Sequence, residues 1–148
     1  MLIAVGFDGV IAQESLPPAS SLAFLPGAEE GLQALARAGH VLVVWSMRAS
    51  VALREDWRRN PLWRLGLVPF DRAAWEQNSS LHQQRYQDML DFLVDTRLLP
   101  GVVRAVDDGC GGKPLVDLFI DNKAVHLGGP GGARGWKNIA TQYGEPQK

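Results

Sequence analysis

Ile3-Ala4-Val5-Gly6-Phe7-Asp8-Gly9-Val10-Ile11 decides how the rest of the chain is read. The run is short, apolar and rich in β-branched residues, which marks a buried strand rather than a helix. An acidic residue and a glycine fall near its end. In an open α/β sheet, ligands bind outside the carboxyl ends of the strands. The Asp8 carboxylate is therefore placed for metal, phosphate or proton chemistry.

Working outward, the chain alternates strand-like and helix-like segments. Residues 12–26 read as a polar loop. Pro26-Gly27 opens a helix to about Ala38, with Ala28, Leu32, Leu35 and Ala36 on one face and Gly39 as its stop. Val41-Leu42-Val43-Val44-Trp45 is a second buried strand, followed by Ser46-Met47-Arg48. Ser50 reads as the cap of a helix carrying Val51, Leu53 and Trp57 and stopped at Asn60-Pro61, and residues 65–70 read as a short strand. Residues 71–80 read as irregular. A long helix follows over 81–98, with Tyr86, Met89, Leu90 and Leu93 near one face, and Pro100-Gly101 breaks it. Further strands are expected at 102–106 and 115–120, the latter ending at Asp121-Asn122. Residues 107–112 and 128–135 read as glycine-rich loops, and 145–148 as a frayed tail. This alternation predicts a mostly parallel sheet with helices on both faces.

Composition limits the function classes. At 148 residues the chain is expected to form one domain, residues 1–148. A net charge of −1 gives no electrostatic footprint for nucleic acid or a membrane surface. Met1–Ala4 runs directly into the first strand and is read as core, not as a secretion signal. No apolar stretch reaches the ~20 residues of a membrane span. The lone Cys110 forms no internal disulfide, which agrees with a reducing cytoplasm.

Four strand ends together resemble the haloacid dehalogenase (HAD) superfamily, mostly Mg2+-dependent phosphohydrolases. Its first motif is an apolar strand followed by Asp-x-Asp-Gly-(Thr/Val). Phe7, Asp8, Gly9 and Val10 match, but Gly6 stands where the family has its nucleophilic Asp. The second motif, a strand ending in Ser or Thr, fits Val41–Trp45 and Ser46. Its hydroxyl would bind a phosphate oxygen, and Arg48 two residues on would add a contact to an anion. The third motif supplies a charge-neutralising lysine, matched by Lys113. The fourth is a strand ending in Mg2+-binding acids; Asp121 matches, and Asn122 replaces a frequent second Asp. The resemblance spans roughly residues 2–125. It implies a three-layer, Rossmann-like HAD fold of the small, minimally capped type. It also implies Asp8 and Lys113 as catalytic residues, with Ser46, Arg48 and Lys113 on the ligand. Asp8, Asp121 and Asn122 would stand at a Mg2+ weakened by the loss of one carboxylate.

Each of these residues also has a plainer reading. Asp8 could cap the loop after the first strand, Ser46 could be an ordinary strand-end serine, and Lys113 could be a solvated loop lysine. Arg48 could pair with Glu55 or Asp56. Asp107 and Asp108 read as a solvated turn. His40, His82 and His126 lack paired metal-ligand spacing and read as surface or local hydrogen-bonding residues. Residues 107–114 fail as a P-loop because Pro114 replaces the Ser or Thr that would bind Mg2+. Trp57 and Trp63 read as packing residues.

Glycine has no carboxylate with which to attack phosphorus or bind a metal. The first expectation is thus a HAD-like protein that binds a small phosphorylated or anionic ligand and hydrolyses it poorly or not at all. A Mg2+-dependent phosphohydrolase in which Asp8 activates water directly is the second. A non-catalytic interaction module on the same scaffold is the third.

Overall fold

The computed structural model describes residues 1–14, 21–49, 65, 72–107, 114–121 and 133–144. In chain order the elements are β1 (Leu2–Gly6), β2 (Ala12–Glu14), β3 (Leu22–Phe24), α1 (Ala28–Arg37), β4 (Val41–Trp45), a 3-10 turn (Met47–Ala49), α2 (Arg72–Asp95), β5 (Val103–Val106), β6 (Leu118–Ile120) and α3 (Ala133–Tyr143). Four strands form one parallel sheet in the order β5-β4-β1-β6. β2 and β3 form a separate antiparallel hairpin. The chain is therefore α/β, with a parallel sheet and three helices among the described residues. No described helix is long and apolar enough to cross a membrane.

Strand register sorts the sheet residues into two faces. Ile3 pairs with Leu42 and Leu118, and Val5 with Val44 and Ile120. These belong to, or pack against, one apolar cluster that also holds Leu32 and Leu35 of α1, Met89 and Leu93 of α2, and Trp136 and Ile139 of α3. Alternate residues along each strand point to the opposite face. There Ala4 pairs with Val43 and Phe119, and Gly6 with Trp45. The Trp45 and Phe119 rings, from the two strands flanking β1, meet edge to face with centroids 6.2 Å apart. The small residues at positions 4 and 6 leave room for that contact.

α1 starts at Gly27, whose φ of 79° is left-handed, and ends before Gly39 at φ 86°. Both positions suit glycine because it has no Cβ to clash. The helix buries Ala28, Gly31, Leu32 and Leu35, one apolar stripe at helical spacing. α3 packs on this stripe. Trp136 is fully buried, and its Nε1 donates to the Val10 carbonyl at 2.8 Å.

Several expectations are corrected. Residues 12–26 are not all loop: β2 and β3 pair there. Ala12 is fully buried and Phe24 packs edge to face on Phe92, so that segment carries core contacts that its polar composition hid. The long helix begins at Arg72 rather than at 81, because Ala73, Ala74, Glu76 and Gln77 are strong helix formers and no Gly or Pro interrupts the run. It ends at Asp95, and Arg97 at φ 58° takes the chain out of the helix before Leu98. The sixth strand starts at Leu118, not 115: Leu115 is 97% exposed. Asp117 precedes the strand: its N–H donates to the Leu2 carbonyl at 2.9 Å and its carboxylate accepts from the Leu2 N–H at 2.7 Å, so the pairing starts with one backbone and one side-chain bond. The glycine-rich loop expected over 128–135 gives way to α3 at Ala133. The helix at 51–57, most of the strand at 65–70, the loop glycines at 109–112 and the tail at 145–148 lie outside the described residues. So do Glu55, Asp56, Trp57, Trp63, Asp108, Cys110 and His126.

Gly31 gives a prediction with an inverted sign. Exchanging a helix-interior glycine for alanine normally stabilises by about 1 kcal/mol. A Cβ on Gly31 would lie 2.3 Å from Trp136 Cε3, inside a ring with no exposed surface. Overpacking of this kind costs about 1–3 kcal/mol. Gly31→Ala is expected to lower Tm by several degrees, read by thermal melting; a raised Tm would mean that α3 does not pack on α1 in this way.

Candidate functional site

The carboxyl ends of β1, β4 and β6 lie on one edge of the sheet because the three strands are adjacent and parallel. The chain runs from β1 to β4 and β5 on one side, then returns to β6 on the other. A crevice at such a reversal is a ligand-binding position of open α/β sheets. A cleft of about 390 Å3 opens there. Gly6, Phe7, Asp8 and Val10 line it from the β1 end, Trp45, Ser46 and Met47 from the β4 end, and Asp121 from the β6 end. Its volume falls within the range of small-molecule sites.

Local backbone geometry presents Asp8. The Phe7 carbonyl accepts from the N–H groups of Val10, Ile11 and Ala12 at 3.3, 3.0 and 3.1 Å, and Gly9 takes φ 70°. This tight turn leaves the Asp8 side chain half exposed at the mouth of the cleft, at 50%.

Arg48 dominates the site. Its side chain is only 5% exposed. Nε donates to both Asp8 carboxylate oxygens at 2.9 Å, and Nη2 donates to Oδ1 at 2.6 Å. Nη1 donates to the Arg85 carbonyl of α2 at 3.0 Å. The guanidinium carbon lies 5.3 Å from the centroid of the Phe7 ring, a cation–π distance. One arginine thus joins the ends of β1 and β4 to α2. The Ser46 hydroxyl accepts from the Arg48 N–H at 3.2 Å and lies 3.5 Å from Asp8 Oδ2. It braces the turn that aims Arg48.

The expected residues divide clearly. Asp8, Ser46 and Asp121 share the cleft, and Arg48 reaches it through Asp8. Lys113 and Asn122 lie outside the described residues. Asp8 does not act as a simple loop cap: its oxygens meet Arg48. His40 makes hydrogen-bonding contacts to segments distant in sequence, the amino terminus at 3.3 Å and the Tyr143 carbonyl at 2.8 Å. Trp45, Met47 and Val10 were not singled out as lining residues. Trp45 was legible as the last residue of a strand flanking Gly6. Met47, 62% exposed, carried no comparable signal.

The described residues do not fit the Mg2+ that the resemblance implies. Mg2+ requires near-octahedral oxygen ligands at short range. Both Asp8 oxygens are instead occupied by a guanidinium. Among the described residues, no three His, Cys, Asp or Glu side chains lie together as a metal would need. The backbone at Gly6 is not left-handed, so an L side chain is conformationally allowed there. A Cβ would lie 3.2 Å from Val10 Cγ2 and 3.4 Å from Asp121 Cβ, so a carboxylate placed at this position would adjoin Asp121.

A larger cavity, of 560 Å3, lies between α1 and α3 over Gly31, Ala34 and Ala140. It is remote from the strand ends, and Glu30, Arg37 and Lys137 are its charged lining residues. The smaller cleft, with polar groups converging from three strands, is the better functional candidate. Comparison with known proteins adds no relative: no family model matches the chain, no curated protein matches it, and no solved structure matches it.

The ion pair is asymmetric, and this has a measurable consequence. Asp8 can be hydrated when its partner is removed, whereas Arg48 is held away from water. Removing one partner of a buried charge costs more than removing both. Asp8→Ala is expected to destabilise by about 2 kcal/mol and Arg48→Met by about 1 kcal/mol or less. The double variant should lie near Arg48→Met. Urea unfolding of the four proteins checks the order, and equal losses for the two single variants would contradict it.

Proposed function

We propose that the cleft binds a small phosphorylated or otherwise anionic ligand and hydrolyses a phosphoester poorly or not at all. The observation that carries this reading is the convergence of Asp8, Ser46 and Asp121 at three adjacent strand ends around Gly6. In the family that the sequence resembles, position 6 holds the attacking carboxylate. Glycine cannot form the covalent phosphoenzyme. The strand order and parallel pairing are compatible with the finer proposal of a three-layer, minimally capped HAD-like fold.

Arg48 also bears on the alternative in which Asp8 activates water. A general base needs a lone pair directed at the water it deprotonates. Both Asp8 oxygens accept from the guanidinium, so a water activated there must use the lone pairs that remain on the half-exposed carboxylate, beside Arg48.

Asp8 and Arg48 pair with one another, and in the resembled family the third-motif lysine supplies the charge that attracts the anion, a role this proposal gives to Lys113. The Ser46 hydroxyl adds hydrogen bonding once the ligand is held.

Calorimetric titration with inorganic phosphate and with phenyl phosphate tests the proposal. Native protein is expected to bind at least one of them, and Lys113→Ala should weaken that binding by about tenfold or more, roughly 1.4 kcal/mol. Absence of binding by the native protein removes the reading. Turnover of p-nitrophenyl phosphate with Mg2+ should stay well below about 1 per second. Turnover at ordinary enzymatic rates, abolished by Asp8→Asn, would establish the water-activating route instead.

A further inference from the structure

We infer that Arg48 is the resident cation of this cleft, so that the site works without a divalent metal and excludes one at two positions, Gly6 and Arg48. It concerns the same cleft as the anion-binding proposal and assigns the charge that neutralises Asp8, and its geometry stands independently of any ligand.

Arg48 is held too well to be a casual partner. It makes three hydrogen bonds to Asp8 and one to the Arg85 carbonyl, and it lies over the Phe7 ring. Its own N–H is anchored on Ser46 Oγ. The side chain is nearly removed from water, and the partners come from the β1 end, the β4 end and α2. Both oxygens accept from the guanidinium, so a metal would have only the remaining lone pairs, next to a fixed positive charge. A dication approaching Asp8 would meet a fixed positive charge within hydrogen-bonding distance of both oxygens. To chelate both oxygens it must also displace the guanidinium and leave the Arg85 carbonyl without that donor.

Gly6 and Arg48 are physically matched. With no carboxylate at position 6, the strand ends present Asp8 and Asp121, and one guanidinium neutralises Asp8. A carboxylate at position 6 would stand beside Asp121 and call for a cation there. Arg48 is already committed to Asp8 and to α2. Restoring the acid alone should therefore not restore a metal site. Removing Arg48 alone should not either, since two separated carboxylates remain.

Mn2+ is the probe, because its paramagnetism broadens nearby amide signals and its binding is measurable by electron paramagnetic resonance. Native protein, Gly6→Asp, Arg48→Met and the double variant are titrated in parallel. Binding in the double variant is expected to be at least tenfold tighter than in either single variant, with broadening centred on residues 6, 8 and 121. Native protein should show no saturable broadening at those residues. Arg48→Gln replaces Arg48→Met if the apolar variant does not fold. Three results would overturn the inference: saturable Mn2+ binding at the native cleft, Gly6→Asp binding as tightly as the double variant, or no binding by a folded double variant. Phosphate titration of the same native sample separates the two proposals. Failure to bind phosphate with Mn2+ exclusion intact defeats the ligand reading alone.

Discussion

β1 is hydrogen-bonded along both edges, to β4 through Leu2–Gly6 and to β6 through Ile3–Val5. That position constrains everything else. A central parallel strand must be apolar on both faces, and its two neighbours must end beside it. The residues that follow the three strands are then forced together whatever their separation in sequence. Asp8, Ser46 and Asp121 owe their proximity to backbone pairing, not to attraction among themselves. Two of the three are acids, and their nearness would be unfavourable without a counter-charge.

Arg48 supplies that charge and makes a mechanical link as well. Its bond to the Arg85 carbonyl crosses from the strand ends to α2, while Phe7 beneath it contacts Phe92 of the same helix at a ring distance of 5.8 Å. The polar and apolar contacts run in parallel between the same elements. A displacement of α2 would therefore disturb both the ion pair and the aromatic packing. The side chain that would belong to position 6 in the resembled family is absent from this arrangement, and the space is shared by Val10, Asp121 and the open cleft.

The sheet was legible because its signals are local. β4 is bounded by a left-handed Gly39 and by Ser46, and its five residues are uniformly apolar. α1 shows its buried stripe directly in the spacing of Ala28, Leu32 and Leu35. The hairpin was not legible, because Ala12-Gln13-Glu14 has little strand character and is held by pairing with Leu22–Phe24. α3 was hidden behind glycines, and the burial of Trp136 depends on a partner more than a hundred residues away. The cleft was readable as a set of strand ends. The Asp8–Arg48 bond was not, since Arg48 had nearer acids in sequence at Glu55 and Asp56. Choosing Asp8 required knowing that β1 and β4 are neighbours.

The bond from Trp136 to the Val10 carbonyl joins positions 126 residues apart. Val10 belongs to the turn that presents Asp8, so the cleft's first wall is fastened by the last helix. His40 adds a second tie between the two ends of the chain, contacting the amino terminus and the Tyr143 carbonyl. Contacts this distant close late, because the loop entropy must be overcome before they return any energy. Until α3 docks, the indole's place beneath Val10 and against Gly31 is open, and the cleft has an unfinished floor. The cleft end of the sheet is thus completed by a helix more than a hundred residues away in sequence.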